Sequence, residues 1–178
     1  MLVLVGTDTH PFHRLMDWLE RWYAGRRDRP TMTVQYGRSR RPLIPGATAF
    51  LAHDDLERAI TSARLVVTHG GPATIAETRA AGRLPIVVPR DPAHGEHVDE
   101  HQLRYAARLA ATGDIHLCRS GGELSATLDR GLAAPATFRI DPVAEATRQA
   151  ARTAAAARVG RIVEDLVRAT TRSRRGAR

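Results

Sequence analysis

Short apolar runs alternate with segments of helical periodicity over most of the chain. The runs LVLVG at 2–6, RLVVTH at 64–69 and LPIVVP at 84–89 have the length and content of buried strands. Helices of about ten to fifteen residues separate such runs, and this alternation requires right-handed crossovers and a mainly parallel sheet covered on both faces. The pattern therefore predicts an α/β fold with a doubly wound, Rossmann-like sheet.

The same pattern divides the chain into three parts. Residues 1–140 are predicted to form the sheet domain, 141–170 a helix rich in Ala and Arg, and 171–178 a basic disordered tail. The predicted strands are 2–6, 31–37, 47–51, 64–69, 84–89 and 115–118, and the predicted helices of the domain are 12–24, 53–63, 72–82, 97–113 and 121–132. A basic, proline-containing loop at 38–46 is expected to be mobile.

The net charge of +8 is concentrated at the C-terminal end of the chain. Residues 143–178 contain nine Arg against Glu145, Glu164 and Asp165, which is +6 and leaves +2 for the residues before them. The chain has neither Lys nor Asn, which indicates codon bias, and it lacks the basic stripe with interleaved aromatic residues that single-strand binders use. We therefore predict no nucleic acid partner, while the Arg-rich tail is either solvated or touches an anionic membrane surface.

Two further features of the sequence indicate the compartment in which the protein works and the state of its cysteine. No apolar run approaches the ~20 residues of a membrane span, and MLVLVG at 1–6 turns polar too soon for a signal peptide, which predicts a cytoplasmic protein. Cys118 is the single cysteine, so an internal disulfide and a multi-cysteine metal site are excluded. Its apolar flanks favour a buried core thiol.

The segment THGGPATIAE at 68–77 places Gly-Gly-Pro where a predicted strand gives way to a helix. Ligands of open parallel sheets bind beyond the carboxyl ends of the strands, and a helix that opens on glycines and Pro72 presents free N–H groups to an anion, phosphate above all. Thr74 adds a hydroxyl donor. Glu77 lies five residues further on than Pro72, about 7.5 Å along the helix axis, where its carboxylate could reach a ribose diol. A tight turn with a solvated Glu77 is the alternative, and local physics alone does not separate the two.

Several separated motifs follow one another in an order that resembles a known family. THGGPATIAE, PIVVPR and GEHVDEHQ resemble the C-terminal, nucleotide-sugar-binding domain of the family 28 glycosyltransferases, and the opening VGTDTHPFHRL resembles its free-standing single-domain members. Those members include the catalytic subunits of two-part UDP-sugar transferases. The resemblance covers roughly residues 1–130 and implies the C-terminal half of a GT-B fold, inverting transfer from a UDP-sugar in polysaccharide or glycoconjugate synthesis, and no metal or cofactor.

The resemblance also implies roles for individual residues. Gly6 and Thr7 would form the first phosphate-facing loop, and the backbone at Phe50 and Leu51 would contact the uracil. The diphosphate and ribose would be held by His69, Gly70, Gly71, Thr74 and Glu77. The sugar side would be lined by Arg90, Glu96, His97, Glu100, His101 and Gln102, with Arg90 also stabilising the departing UDP. His13 stands where many members carry an acid, which weakens any role for that position.

The general base of such a transfer is less clearly marked. Asp8 and His10 follow the first strand and have suitable chemistry, but each serves equally well as a loop cap, or the base lies on another chain. His94, His97 and His101 suggest a zinc site, because residues i and i+4 share one helix face. Hydrogen bonding of neutral histidines to the donor is the interpretation we favour, and we predict no metal ligand.

One such domain supplies only half of a GT-B cleft. We therefore predict a membrane-associated partner subunit that carries the acceptor-binding domain, a lipid-linked acceptor, and recruitment to the inner face of the membrane. The apolar stripe at Val159, Ile162, Val163 and Leu166 is a candidate docking face, or else it packs on the chain's own sheet. A non-catalytic UDP-sugar-binding or regulatory module, and a different UDP-sugar enzyme such as an epimerase, are the competing functional hypotheses.

Overall fold

A computed structural model describes the backbone of residues 1–176 and the side chains of residues 1–151 and 153–164. The described chain contains a six-stranded sheet in the order β3-β2-β1-β4-β5-β6, and every neighbouring pair is parallel. The strands are β1 (Leu2–Leu4), β2 (Thr33–Gln35), β3 (Ala47–Thr48), β4 (Val66–Thr68), β5 (Ile86–Val87) and β6 (His116–Leu117). The doubly wound parallel sheet that the sequence predicts is therefore confirmed.

The helices of the first unit cover both faces of this sheet. They are α1 (His13–Ala24), α2 (His53–Ser62), α3 (Pro72–Ala80), α4 (His101–Ala111) and α5 (Gly121–Ala133), with short 3-10 turns at Pro92–His94 and Pro135–Phe138. Val3 and Val67 pack with α1 and α5 on one face, whereas the intervening Leu2, Leu4 and Val66 pack against α2 on the other. The alternation of side chains along each strand thus supplies two apolar layers from a single run of sequence.

Pairing of β1 with both β2 and β4 fixes the functional edge of the sheet. The chain builds outward from β1 through β2 to β3, then returns to the other side of β1 with β4, so the strand order reverses between β1 and β4. The carboxyl ends of these two central strands therefore open into a crevice, which is where ligands of such sheets bind. The loops that follow β1, β4 and β5 all lie at this edge.

Two local expectations differ from the structure. The helix predicted at 97–113 begins at His101, because the His97 ring accepts the Asp99 amide and the Asp99 carboxylate accepts the His101 amide, and these bonds replace helical ones. The loop at 38–46, expected to be mobile, is tied to α1 because Arg40 contacts the carboxylates of Asp17 and Glu20.

The chain divides into two compact units, Met1–Arg139 and Ile140–Arg178. The second unit contains the helix α6 (Pro142–Gly176), which continues through most of the tail predicted to be disordered; residues 177–178 lie outside the described residues. Val159, Ile162 and Val163 are exposed on α6. The fourth member of the predicted stripe, Leu166, has a side chain outside the described set. No helix among the described residues is both long and apolar enough to cross a membrane.

Candidate functional site

The ring of His69 lies at the carboxyl ends of β1 and β4. His69 is 8% exposed, its amide bonds to the Leu4 carbonyl at 3.1 Å, and its ring lies between Gly6 and Gly71. A Cβ on Gly6 would stand 2.6 Å from the ring, and a Cβ on Gly71 would overlap the ring nitrogen Nε2. These two glycines are therefore needed to admit a side chain of the same molecule, a reason that sequence reasoning did not foresee.

Burial also fixes the charge of this ring. Desolvation, followed by the positive charge of Arg90, lowers the pKa of His69 to about 4. The imidazole is consequently neutral at neutral pH, so toward the predicted diphosphate it could act only through hydrogen bonds and not as a cation. Its Nδ1 lies 3.4 Å from the Thr68 hydroxyl.

The amino terminus of α3 presents main-chain donors at the surface. Gly71 is the N-cap, no side chain caps the helix, and Pro72 occupies its first position. Within the described part of the chain, the amides of Gly71, Ala73 and Thr74 have no hydrogen-bond acceptor. Pro72 and Ala73 are exposed, so this end of the helix is open to a ligand. Free amides and the helix dipole together favour an anion at this position.

Gln102 connects the turn before α3 to the neighbouring strand. Its side-chain oxygen accepts the Gly70 amide at 3.0 Å and the Arg90 amide at 3.3 Å, and the residue is 4% exposed. The Gly70 amide, predicted to contact the diphosphate, is thus bonded internally. Because the oxygen of Gln102 is occupied, its amide nitrogen is the group that remains to donate to a sugar hydroxyl.

The buried residues Arg90 and Glu96 and the half-buried Arg14 form a set that we call the arginine cluster. Arg90 is 1% exposed and donates to the carbonyls of Val5, His10 and Glu96, over distances of 2.7 to 3.1 Å. Glu96 is 2% exposed and forms a bidentate pair with Arg14, at 3.0 and 2.7 Å. Burial lowers the pKa of Arg90, against the opposing charges of Asp8 and Glu96.

The arginine cluster holds together the loops that surround the crevice. Arg14 also donates to the Pro89 carbonyl, and the Asp91 amide donates to Glu96. In this arrangement Arg90 and Glu96 are not open to a ligand, and their predicted contacts with the donor stay predictions. Arg14 was not among the predicted site residues, because its pairing with Glu96 has no local signal in the sequence. Its guanidinium also lies 4.7 Å from the centroid of the Trp18 ring.

Asp8, His10 and His97 come together from two loops at the same edge. One carboxylate oxygen of Asp8 lies 2.8 Å from both the amide and the Nδ1 of His10, and the other lies 3.5 Å from Nε2 of His97. Burial alone would raise the pKa of Asp8, but the hydrogen bonds from His10 and the charge of Arg90 outweigh it and hold that pKa below its usual value. Asp8 is thus an ionised acceptor between two imidazoles.

His97 and His101 also approach each other, though not as neighbours on one helix. Their ring centroids are 4.5 Å apart in an edge-to-face arrangement, and Asp99 accepts from the amide and Nδ1 of His101. Ligand atoms of His97, Asp99 and His101 lie within 4.8 Å of one another, whereas His94 is exposed on its own 3-10 turn. The structure thus brings Asp99, and not His94, close to His97 and His101, and the bond between Asp99 and His101 also helps to start α4.

The residues expected to contact the base lie between β3 and α2, and the residue expected to contact the ribose lies on α3. The Leu51 amide is bonded to the side chain of the buried Gln35 at 3.1 Å, and the Phe50 carbonyl accepts the Thr48 hydroxyl, so part of this backbone is already engaged. Phe50 itself is exposed and stacks with Arg38. Glu77 is exposed and lines a cavity of about 390 Å³ between α2 and α3. Thr7 and Glu100 are exposed at the same edge of the sheet.

Comparison with known proteins links this geometry to one family. A model of the glycosyltransferase family 28 C-terminal domain matches residues 3–159. The chain is 32% identical over 114 residues to a UDP-N-acetylglucosamine–N-acetylmuramyl-(pentapeptide) pyrophosphoryl-undecaprenol N-acetylglucosamine transferase of Solibacter usitatus, covering 64% of this chain and 30% of that protein. It is 30% identical over 86 residues to the UDP-N-acetylglucosamine transferase subunit ALG13 of Yarrowia lipolytica, covering 44% of this chain and 42% of that protein.

A solved structure agrees with the fold. The crystal structure of Acinetobacter baumannii MurG superimposes with a TM-score of 0.56 at 20% identity, over 76% of this chain and 42% of that one. The chain spans less than half of the length of each of these relatives. The chain therefore shares the Rossmann-like fold of the part of that structure on which it superimposes.

Proposed function

The chain belongs to the glycosyltransferase family 28 C-terminal domain family, and from that premise we propose that it is the donor-binding catalytic subunit of an inverting glycosyltransferase that uses a UDP-sugar. The observation that carries the proposal is the open amino terminus of α3, with the free amides of Gly71, Ala73 and Thr74 at the crevice between β1 and β4. The diphosphate of the donor binds these amides. The Thr74 hydroxyl and the neutral His69 ring complete the anion site.

The proposed chemistry follows from this placement. As the acceptor hydroxyl attacks C1 of the sugar, the bond from C1 to the diphosphate breaks, and negative charge grows on the departing UDP. Oriented main-chain amides at a helix terminus stabilise that charge without reorganising. Glu77 bonds the ribose hydroxyls, Gln102 and the histidines His97 and His101 face the sugar, and the loop containing Asp8 and His10 supplies the base.

The acceptor side of the reaction is proposed to come from elsewhere. The chain covers 30% of the length of one relative and 42% of the length of another, and the second relative is a subunit of a UDP-N-acetylglucosamine transferase. An acceptor-binding domain on a partner subunit would accordingly complete the cleft. The pyrophosphoryl-undecaprenol named for the first relative supports a lipid-linked acceptor and a membrane-associated partner on the cytoplasmic side. The basic residues of α6 would then lie near anionic headgroups.

Calorimetric titration of the full chain with UDP, GDP and inorganic diphosphate tests donor binding. We expect UDP to bind at least about tenfold more tightly than the other two, and Glu77→Gln to reduce UDP affinity about tenfold by removing a charged acceptor of the ribose. Asp54→Asn, which removes an exposed carboxylate from the first turn of α2, is the matched control. Equal, weak binding of all three ligands would contradict the proposal.

Turnover separates an enzyme from a binding module that has lost its activity. Co-expression with the product of a neighbouring gene, followed by assay of UDP release with a lipid acceptor, is expected to show transfer that neither subunit supports alone. A stable complex that binds UDP-sugar and never turns over would favour the non-catalytic module.

A further inference from the structure

The ring nitrogens around Asp8 can be assigned from their hydrogen bonds. The Asp99 amide donates to Nδ1 of His97 at 3.3 Å, so this nitrogen carries a lone pair. In the neutral ring the hydrogen of His97 is then on Nε2, the atom that lies 3.5 Å from the Asp8 carboxylate. The same carboxylate contacts Nδ1 of His10 at 2.8 Å. An ionised carboxylate only accepts, so Nδ1 of His10 must donate and its Nε2 carries the free lone pair.

We propose that Nε2 of His10 is the general base of the transfer, and that Asp8 and His97 are positioning residues that fix its tautomer and orientation. The inference rests on the proposed function. Nε2 takes the proton of the acceptor hydroxyl as its oxygen bonds to C1, while the electron pair of the C1–O bond leaves with UDP. The resulting imidazolium lies against the Asp8 carboxylate, which stabilises it.

Accessibility and rigidity support this division of roles. The His10 side chain is 36% exposed, against 25% for Asp8 and 11% for His97, so the ring nearest to solvent is the one with the free nitrogen. The His10 carbonyl is held by Arg90 at 2.7 Å, and the His10 amide by Asp8. Both ends of the residue are therefore fixed, as a base that must meet a substrate hydroxyl in one geometry requires.

Charged and titratable groups from several elements face His10. Asp8 lies in the same loop, Arg90 reaches it from the end of β5, and His97 faces it with ring centroids 6.2 Å apart. The next charged or titratable groups interact with Asp8 or His97. They are His69 at the end of β4, and Asp99 and His101 at the start of α4. Asp8 is the negative charge in direct contact with the ring, so its removal takes away the counter-charge of the imidazolium that forms during the transfer.

Proton–nitrogen NMR of the histidine rings in the full chain tests the tautomer directly. We expect neutral His10 to carry its hydrogen on Nδ1 in the native chain, and on Nε2 in Asp8→Asn, whose amide group can donate to Nδ1. His13→Gln, at the exposed first residue of α1, identifies signals and serves as the control. Native His10 with its hydrogen on Nε2 would overturn the assignment.

Kinetics of the reconstituted complex test the role. We expect His10→Gln to lower kcat about 10²- to 10⁴-fold with donor Kd unchanged. Asp8→Asn should lower kcat about tenfold or more, also with donor Kd unchanged, because it removes the carboxylate that orients the ring and stabilises the imidazolium. His97→Gln keeps a donor toward Asp8 and should retain more activity than His97→Leu. If UDP-sugar binds and is turned over normally by His10→Gln, this inference fails while the proposed function stands; if UDP-sugar does not bind the native chain, the proposed function fails.

Discussion

The amino terminus of α3 and the arginine cluster lie at the same edge of the sheet and come from neighbouring motifs, yet they are built in opposite ways. The helix terminus leaves amides free at an exposed turn, whereas Arg90 and Glu96 are buried and Arg14 is half-buried. Arg14 is paired with Glu96, and both arginines donate to main-chain carbonyls. A binding motif thus contains two kinds of residue. One kind is exposed where we propose that the ligand binds, and the other holds together the loops around that position.

Breaking the arginine cluster should give the largest loss of stability. Arg14→Met leaves Glu96 buried without its bidentate partner, and we expect the free energy of unfolding to fall by about 3–5 kcal/mol. Urea unfolding of the full chain measures this. Arg58→Met removes a solvent-exposed ion pair with Asp55 and should cost less than about 1 kcal/mol. Equal losses in the two variants would show that the cluster has no special structural role.

Acid should weaken the molecule through His69 before it affects most carboxylates. The folded pKa of His69, about 4, is below the ordinary value of 6.5, so the unfolded chain binds a proton that the folded chain does not. Stability is full above pH 6.5 and decreases as the pH falls toward 4, by about 3 kcal/mol in all. When the free energy of unfolding is measured at several pH values between 4 and 6.5, it should fall less steeply with decreasing pH in His69→Gln than in the native chain. An unchanged slope would mean that His69 titrates normally.

The turn between β4 and α3 should resist even one added methyl group. Gly71→Ala places a Cβ against the His69 ring, and we expect a loss of about 1–3 kcal/mol together with weaker UDP binding. Gly122→Ala, in the first turn of α5, is the control. Its added Cβ would lie 4.0 Å from the Ser120 hydroxyl, so we expect no change in stability. Thermal unfolding compares the two variants. Tolerance of Gly71→Ala would mean that the ring can move aside.

The exposed helix terminus should show the reverse pattern of effects. Thr74→Val keeps the shape of the side chain and removes its hydroxyl, so we expect stability to change by less than about 0.5 kcal/mol. The affinity for UDP should fall about threefold to tenfold, as for the loss of one hydrogen bond to an anion. Calorimetry and urea unfolding on the same preparation separate these effects. A stability loss as large as that of Arg14→Met would remove the contrast between the two regions.

The sequence predicted the order of elements well because apolar runs and turn residues act locally. The parallel pairing of the strands, both helical layers and the helix that begins at Pro72 all followed from periodicity, glycines and proline, whereas the order of the strands within the sheet was not predicted. The roles within the site followed less well, because they depend on contacts across the chain. Arg14 meets Glu96 from 82 residues away, and the His69 ring explains two glycines that seemed reserved for a ligand. Neither contact has a local signature.

The outer strands of the sheet also limit how this domain can assemble. β3 and β6 are two residues long each, so each flank offers only a few unpaired main-chain groups. A strand from another chain could therefore form only a few main-chain hydrogen bonds with either edge. A second domain that completes the cleft would have to recognise side chains and loops, and those surfaces can diverge between relatives while the fold stays the same.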